Sequence, residues 1–172
     1  MSKINAGLMS SERPDWNSPE KLLERVRAFA PIGLDPCSNA SSIVRAAVEW
    51  TFERDGDSLP KPWAGRGLVY VNPPYGREIV PFALKLALEG AFGTEIIALL
   101  PARTDARWWQ QHIVSAQAIC FWRGRLRFLG AKDSAPFPSA IAYWGPHCGR
   151  FWDVFHEAGW VVPGQPAREV SA

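Results

Sequence analysis

Leu68-Val69-Tyr70-Val71-Asn72-Pro73-Pro74-Tyr75-Gly76 is the stretch of sequence that decides the fold. Its first four residues are aliphatic, β-branched or aromatic, which predicts a short strand buried on both faces. The prolines cannot continue a ladder of backbone hydrogen bonds, so the chain is expected to leave the sheet directly after Val71. Asn72 and Tyr75 then lie at the carboxyl end of a strand, where open α/β sheets bind their ligands.

The same turn presents hydrogen-bond acceptors. The side-chain oxygen of Asn72 and a backbone carbonyl freed by the prolines can each accept one hydrogen of a planar NH2, and Pro74 has no N–H to offer. Accepting both hydrogens frees the lone pair of the nitrogen to attack a methyl group, while Tyr75 could stack on the ring that carries the amine. The alternative is a plain turn in which Pro73 and Pro74 break the strand and Tyr75 packs.

The composition is that of a folded protein. Of the 172 residues 47% are hydrophobic, with nine Trp and nine Phe, and the length is typical of one domain. No run of about 18 apolar residues is present, and residues 1–13 lack the apolar run of a signal peptide, so a cytoplasmic protein without a membrane partner is expected. A net charge of +2 permits nucleic-acid binding without requiring it.

The cysteines do not indicate a metal site. Cys37, Cys120 and Cys148 are far apart and form no Cys-x-x-Cys pair, and the chain has only three His to join them. This spacing argues against a zinc site and against a disulfide framework, so no metal cofactor is expected.

The amino-terminal part predicts a helix followed by a strand. Residues 1–14 are expected to form a loose arm. Ser18 is a good N-cap and Pro19 fits the first helical position; such a helix start could also receive the carboxylate of a ligand. Residues 31–38 predict a first strand that ends at Asp35 and a turn, where an ionised carboxylate could pair with an ammonium group.

The next segment is ambiguous. Residues 42–52 combine a helical pattern with a possible short strand at 50–52, and periodicity does not separate the two. Glu53, Asp55 and Asp57 follow, where a carboxylate could accept hydrogen bonds from ribose hydroxyls; a solvated acidic turn is the alternative. The chain has no Gly-x-Gly-x-x-Gly, so a standard dinucleotide site is unsupported.

Strand and helix patterns alternate through the rest of the chain, which indicates a parallel α/β sheet. The final helix is expected to bury Phe151, Trp152 and Phe155. The folded domain is expected to span residues 15–160, with 161–172 as a tail and no second domain. The predicted elements are helices at 78–89, 106–115 and 149–158, and strands at 95–100, 118–122 and 140–144.

Arginines form a local basic surface. Arg123, Arg125 and Arg127 recur with period two and share one face if the segment is extended, and Arg103 and Arg107 add to them. Contact with phosphates is favoured; the alternative is an edge strand whose charges block aggregation. Phe137, between two prolines, is either a core plug or a wedge near a target base.

The chain resembles the small phage-type DNA N6-adenine methyltransferases, and the resemblance covers roughly residues 15–145. It is carried by six blocks in matching order: Trp16-Asn17-Ser18-Pro19, Asp35-Pro36-Cys37, Trp63 with Asn72-Pro73-Pro74-Tyr75-Gly76, Leu100-Pro101-Ala102-Arg103-Thr104-Asp105 with Trp108-Trp109, Gly124-Arg125-Leu126-Arg127-Phe128, and Ala135-Pro136-Phe137-Pro138-Ser139-Ala140. Any one block is weak, but six together are not coincidental.

The resemblance implies a Rossmann-like methyltransferase fold, a mostly parallel sheet with helices on both faces in a single domain. It implies S-adenosylmethionine as methyl donor, S-adenosylhomocysteine as product, adenine in DNA as acceptor, and a phage or prophage gene in a bacterial host. The alternatives are an amino-methyltransferase acting on RNA or protein glutamine, or a DNA-binding relative that no longer methylates; a monomer and a homodimer are both open. The implied roles are catalytic for Asn72, Pro73, Pro74 and Tyr75; cofactor-binding for Trp16, Ser18, Pro19, Asp35, Pro36, Asp55 and Asn72; and DNA-binding for Arg103, Arg107, Arg123, Arg125, Arg127 and Phe137.

Overall fold

A computed structural model describes residues 16–164 of the protein. The helices are α1 Glu20–Phe29, α2 Phe52–Asp55, α3 Ile79–Ala91, α4 Arg107–His112 and α5 Cys148–Phe155, and a 3-10 turn, Ile113–Ser115, extends α4. The strands are β1 Ile32–Ser38, β2 Val48–Thr51, β3 Leu68–Val71, β4 Ile96–Pro101, β5 Ala118–Trp122, β6 Ser139–Trp144 and β7 Gly159–Pro163.

Seven strands form one sheet in the order β2-β1-β3-β4-β6-β5-β7. The three pairs among β2, β1, β3 and β4 are parallel, and the other three pairs are antiparallel and longer. The prediction of a mostly parallel sheet is therefore wrong. The alternation of strand and helix patterns does not reveal that β6 inserts between β4 and β5 and is antiparallel to both.

The strands divide the core into two layers. Successive residues of a strand point to opposite faces, and Leu68 and Tyr70 accordingly pack with α1 and α5, while Val69 and Val71 pack with α3 and α4. Helices cover both faces of the sheet for this reason. The apolar side of α1, namely Leu22, Leu23, Val26 and Phe29, is buried.

The carboxyl-terminal segment differs from the prediction. Strand β7 lies in the stretch expected as tail and pairs with β5 along its whole length. A short apolar run ending at Pro163 carries too little pattern to show this pairing. Trp152 was expected in the core but is 51% exposed, and its ring stacks on His156 at 4.2 Å. The predicted arm at 1–14, and residues 165–172 of the predicted tail, lie outside the described residues.

On the amino-terminal side the structure settles one open alternative and corrects one prediction. Residues 42–47 form no helix, and the strand of this segment is β2, followed by the single helical turn α2. Asp35 lies inside β1 rather than at its end, because the strand continues through Pro36 to Ser38 with an irregular register. No helix within residues 16–164 is long and apolar enough to span a bilayer.

Candidate active site

A cleft of about 1040 Å³ opens at the carboxyl ends of the parallel strands. The chain passes from β1 to β2 on one side and then crosses back over β1 to β3 on the other, so the crossover direction reverses between β1 and β3. Ligands bind at such switch points in α/β sheets. The cleft is lined from β1 by Pro36, Cys37 and Ser38, from the region after β2 by Phe52, Glu53, Asp57 and Leu59, from the turn after β3 by Asn72, Pro73, Pro74 and Tyr75, and from beyond β4 by Arg103 and Trp108.

Asn72 is held by one end of its carboxamide. Its Nδ2 donates to the carbonyl oxygen of Trp16 at 2.5 Å and to Oγ of Ser18 at 3.2 Å. Its Oδ1 is buried and has no partner among the described residues. A buried acceptor left without a donor costs on the order of 1–3 kcal/mol, so this atom is a candidate to accept a hydrogen bond from a ligand.

Ser18 does not cap the first helix. The N-cap of α1 is Pro19, and no side chain caps this end. The Ser18 side chain is 3% exposed and bonds instead to the hydroxyl of Tyr70 at 2.7 Å, in addition to Asn72. The predicted N-cap is therefore wrong, because the Ser18 hydroxyl bonds to Tyr70 and Asn72 instead. Neither Ser18 nor Pro19 is on the cleft surface.

Tyr75 belongs to an aromatic wall that we define as Trp16, Tyr75, Phe128 and Phe137. The Tyr75 ring contacts Phe137 edge-on at 5.5 Å and Phe128 at 6.2 Å, and Trp16 contacts Phe128 at 4.9 Å. The Tyr75 hydroxyl is buried with no partner in the described part of the chain, and burial raises its pKa well above the ordinary value. The hydroxyl therefore stays protonated at neutral pH.

Replacing Tyr75 by Phe is expected to stabilise the protein. The change removes an unpaired buried hydroxyl, so the free energy of unfolding in urea should rise by about 1 kcal/mol. Tyr143→Phe is the matched control, since its hydroxyl donates to Oε1 of Glu95 at 2.6 Å and its loss should lower stability. A Tyr75→Phe protein less stable than wild type would show that this hydroxyl has a partner.

Asp35 is buried behind the cleft rather than on its surface. The residue is 3% exposed and accepts a hydrogen bond from the backbone N–H of Cys37 at 2.9 Å. Burial raises the pKa of Asp35 to about 7; Glu49 acts in the same direction, and bonds from Cys37 and Ser42 oppose it. Cys37, two residues further along β1, lines the cleft. Asp35 can thus influence a cation in the cleft through its charge.

Ser38 is a cleft residue that sequence reasoning missed. It ends β1, it is 6% exposed, and its Oγ has no partner among residues 16–164. An unpaired buried hydroxyl on a cleft wall is a ready contact for a polar ligand. The only sequence signal is a Ser at the end of a strand, which is common in proteins.

The acidic side of the cleft is formed by Glu53 and Asp57, and not by Asp55. The Asp55 carboxylate accepts from the backbone N–H of Thr51 at 2.8 Å and pairs with Arg54 at 2.9 Å. The Arg54 bond lowers the pKa of Asp55. Asp55 thus closes the single turn of α2, and Glu53 and Asp57 are the carboxylates of this segment that line the cleft. Cleft-lining Glu78 is a further carboxylate, directly before α3.

The basic side lies beyond β4. Arg103 lines the cleft, and Arg107 is exposed nearby in sequence. Residues 123–130 form a loop and not a strand, so the alternative of a charged edge strand is wrong. The predicted alternation nevertheless holds: Arg123, Arg125 and Arg127 are exposed, whereas Leu126 and Phe128 are buried.

The aromatic wall fixes the arginine loop beside the cleft. Phe128 packs against Trp16 and Tyr75, and the N–H of Leu129 donates to the carbonyl of Asn17 at 2.9 Å. Phe137 is half-buried in the same wall and faces the cleft. The arginines are therefore placed next to the turn that carries Asn72.

The strand order places acidic and basic residues at opposite ends of the cleft. The acidic residues follow β2, Asn72 follows β3, and Arg103 follows β4, so Asn72 lies between them along one edge of the sheet. Neighbouring strands are about 4.8 Å apart, which puts the acidic and basic ends roughly 15 Å from each other. The arrangement suits a cationic ligand at one end and an anionic ligand at the other.

These features define an α/β protein with a candidate ligand cleft at a switch point of its sheet. The chain belongs to the DNA N-6-adenine-methyltransferase (Dam) family, whose model matches residues 5–141. The match includes β1 to β4, the turn with Asn72 and the arginine loop, and it confirms the resemblance. Family membership implies a transferase that methylates adenine N6 in DNA. The comparison with curated proteins gives no match, and neither does the comparison with solved structures.

Proposed function

We propose that the protein transfers a methyl group from S-adenosylmethionine to the exocyclic amine of an adenine extruded from DNA. The observation that carries the proposal is the free Oδ1 of Asn72, placed between an acidic and a basic end of one cleft. An acceptor of this kind matches the NH2 group of adenine. A positively charged donor matches the acidic end, and DNA phosphates match the basic end.

The cleft residues fit the proposed donor. The cleft has a volume of about 1040 Å³, which is at the upper end of the range for ligand sites and is enough for a nucleoside-sized group and a base. Ser38 offers an unpaired hydroxyl, Glu53 or Asp57 offers a carboxylate to ribose hydroxyls, and Trp16 and Pro36 offer apolar surface. Asp35, buried in β1 behind the cleft surface, contributes negative charge when its carboxyl group is ionised. When bound, S-adenosylmethionine supplies an electrophilic methyl carbon on a positively charged sulfur.

Asn72 and Pro73 prepare the amine. Oδ1 of Asn72 accepts one of its hydrogens and the carbonyl oxygen of Pro73 accepts the other, because Pro74 cannot compete as a donor. The nitrogen lone pair is then free to form the bond to the methyl carbon as the carbon–sulfur bond breaks, and the nitrogen afterwards loses one proton to water. Alignment and fixed acceptors supply the rate enhancement.

The transfer needs no covalent intermediate on the enzyme. Burial raises the pKa of the Cys37 thiol well above its ordinary value, and Asp35 and Asp57 act in the same direction. Burial also raises the pKa of Cys120 to about 12. Both cysteines are therefore protonated and poor nucleophiles, and an exocyclic amine requires no addition to its ring.

A paired adenine has to leave the duplex to reach Asn72. The residue lies at a strand end within the cleft, so the base must rotate out of the stack before its amine meets the acceptors. Tyr75 and Phe137 offer ring edges and faces to hold it there. The parallel half of the sheet, with its switch point between β1 and β3, supports a Rossmann-like fold for this site.

Methyl transfer to defined substrates tests the proposal. Purified protein with labelled S-adenosylmethionine should incorporate label into adenine-containing duplex DNA, and nucleoside analysis should give N6-methyladenine. RNA or a glutamine-bearing peptide methylated faster than DNA would favour the second enzyme class. DNA binding with no calorimetric signal for S-adenosylmethionine would indicate a relative that no longer methylates.

Replacing the loop arginines should weaken DNA binding through salt-dependent contacts. For Arg125→Gln with Arg127→Gln, the slope of log affinity against log salt should become shallower by about 2, because each lost phosphate contact removes about 0.9. Arg150→Gln is the control, since Arg150 is exposed near the ring of Phe29 on a helix remote from the cleft. An unchanged slope in the double variant would remove these arginines from the DNA interface.

A further inference from the structure

We propose that Ser18 and Tyr70 are positioning residues that hold the Asn72 carboxamide in its active orientation. The inference rests on the proposed function, because it concerns how the acceptor of the amine is kept free. The carboxamide has a donor end and an acceptor end of similar shape, and only one orientation presents Oδ1 to a substrate amine. Something in the protein has to select it.

The two hydrogen bonds of Asn72 Nδ2 select this orientation of the carboxamide. Both of its hydrogens have an acceptor, the Trp16 carbonyl and Ser18 Oγ. If the carboxamide rotated by half a turn, Oδ1 would meet the Trp16 carbonyl oxygen, and two acceptors would face each other. The NH2 group would then point where the substrate amine must donate. The rotated state would be both less stable and inactive.

Tyr70 makes Ser18 a fixed partner instead of a free rotor. Its hydroxyl lies 2.7 Å from Ser18 Oγ, and the whole Tyr70 side chain is buried in β3. Tyr70 and Asn72 are two residues apart, so both project to the face of the sheet that α1 covers. The segment that enters α1 therefore brings Ser18 within reach of both.

A purely structural role for Ser18 is not what the contacts show. The side chain caps no helix, and its only hydrogen-bond partners in the described part of the chain are Tyr70 and Asn72. Removing the hydroxyl of Ser18 or of Tyr70 should thus first disturb the orientation of the Asn72 carboxamide. The effect should appear in the rate of the chemical step and not in the affinity for DNA.

Kinetics of four variants test the role. We expect kcat to fall about five- to tenfold in Tyr70→Phe and about ten- to a hundredfold in Ser18→Ala, with KM for DNA within about twofold of wild type. Ser18→Thr keeps the hydroxyl and should restore most of the rate. Tyr143→Phe is the matched control, another fully buried strand tyrosine whose hydroxyl bonds to Glu95, and it should lose stability but not kcat.

A second measurement does not depend on activity. The side-chain NH2 signals of Asn72 in 15N-labelled protein are identified by their absence from Asn72→Ala. Their hydrogens should exchange with solvent about five- to tenfold faster in Tyr70→Phe and Ser18→Ala than in wild type, and at the wild-type rate in Tyr143→Phe.

The two measurements separate the possible failures. Unchanged kcat and unchanged exchange in both variants would overturn the positioning role, as would a loss of stability with kcat preserved. If wild-type protein methylates no DNA, the proposed function fails instead. Faster exchange in Tyr70→Phe would then still support the control of Asn72 by Tyr70, and unchanged exchange would overturn it.

Discussion

Asn72→Ala is expected to lower kcat for methyl transfer to DNA by at least about 1,000-fold while the protein stays folded. The substitution removes a buried amide oxygen that has no partner among residues 16–164, so the substrate amine keeps its planar geometry and its lone pair stays delocalised. Single-turnover transfer of labelled methyl groups measures the loss directly. Calorimetry should show S-adenosylmethionine binding within about threefold of wild type, because alignment of the amine and not donor binding is removed.

Asn39→Ala is the matched control for this prediction. Asn39 also lines the cleft, but both ends of its carboxamide are used inside the protein: Nδ2 donates to Asn17 at 2.7 Å, and Oδ1 accepts from Ser41 at 2.9 Å. It has no free acceptor to offer, so kcat should fall less than about tenfold. Equal losses in the two variants would mean that Asn72 acts through the shape of the cleft and not as an acceptor.

Asp35→Asn is expected to stabilise the protein at pH 8 and to weaken its binding of S-adenosylmethionine. The pKa of Asp35 is raised from 3.8 to about 7 in the folded state, so the folded state binds a proton that the unfolded state releases. Wild-type stability therefore falls as pH rises from about 4 to about 7, by up to about 4 kcal/mol. Asn carries no charge and should avoid this loss.

Urea unfolding at pH 4.5 and pH 8 measures the difference. The stability advantage of Asp35→Asn should grow between the two pH values, whereas exposed Asp153→Asn should show the same difference from wild type at both. Binding of the cationic donor to wild type should tighten as pH rises through 7, because the Asp35 carboxylate becomes ionised, and this pH dependence should vanish in Asp35→Asn. Equal donor affinity in both proteins at pH 8 would contradict a role for the Asp35 charge.

Short apolar runs were enough to predict where most strands lie, but they did not predict the direction of each strand relative to its neighbours. Residues 68–71 and 118–122 are β3 and β5 with the predicted bounds, because their apolar runs end at prolines or charged residues. Whether a strand runs with or against its neighbour depends on the connection, and the long loop from β5 to β6 has no pattern that reveals it. Strand β7 was missed because its apolar run is short, ends at Pro163 and is followed directly by Gly164.

For the site, the sequence predicts the residues whose chemistry is local. Asn72 and Tyr75 were identified because the prolines beside them fix the backbone, and their position on the cleft matches that prediction. Partners across the fold were not predictable. Ser18 looked like a helix cap, but its side chain makes tertiary hydrogen bonds to Tyr70 and Asn72. Asp55 looked like a ligand contact, but its carboxylate is used locally by the backbone N–H of Thr51. Tyr70 itself is indistinguishable from any core residue in an apolar run.

The order β2-β1-β3-β4 gives the two ends of the cleft different sensitivities to ionic strength. Under the proposed function, exposed arginines would contact a polyanion at one end, so association there would weaken steeply as the salt concentration rises. At the other end a small ligand meets one or two carboxylates over a distance shorter than the Debye length of about 8 Å, and its binding responds little. Raising the salt concentration should therefore strip DNA from the ternary complex first and leave a donor-loaded enzyme ready for the next encounter.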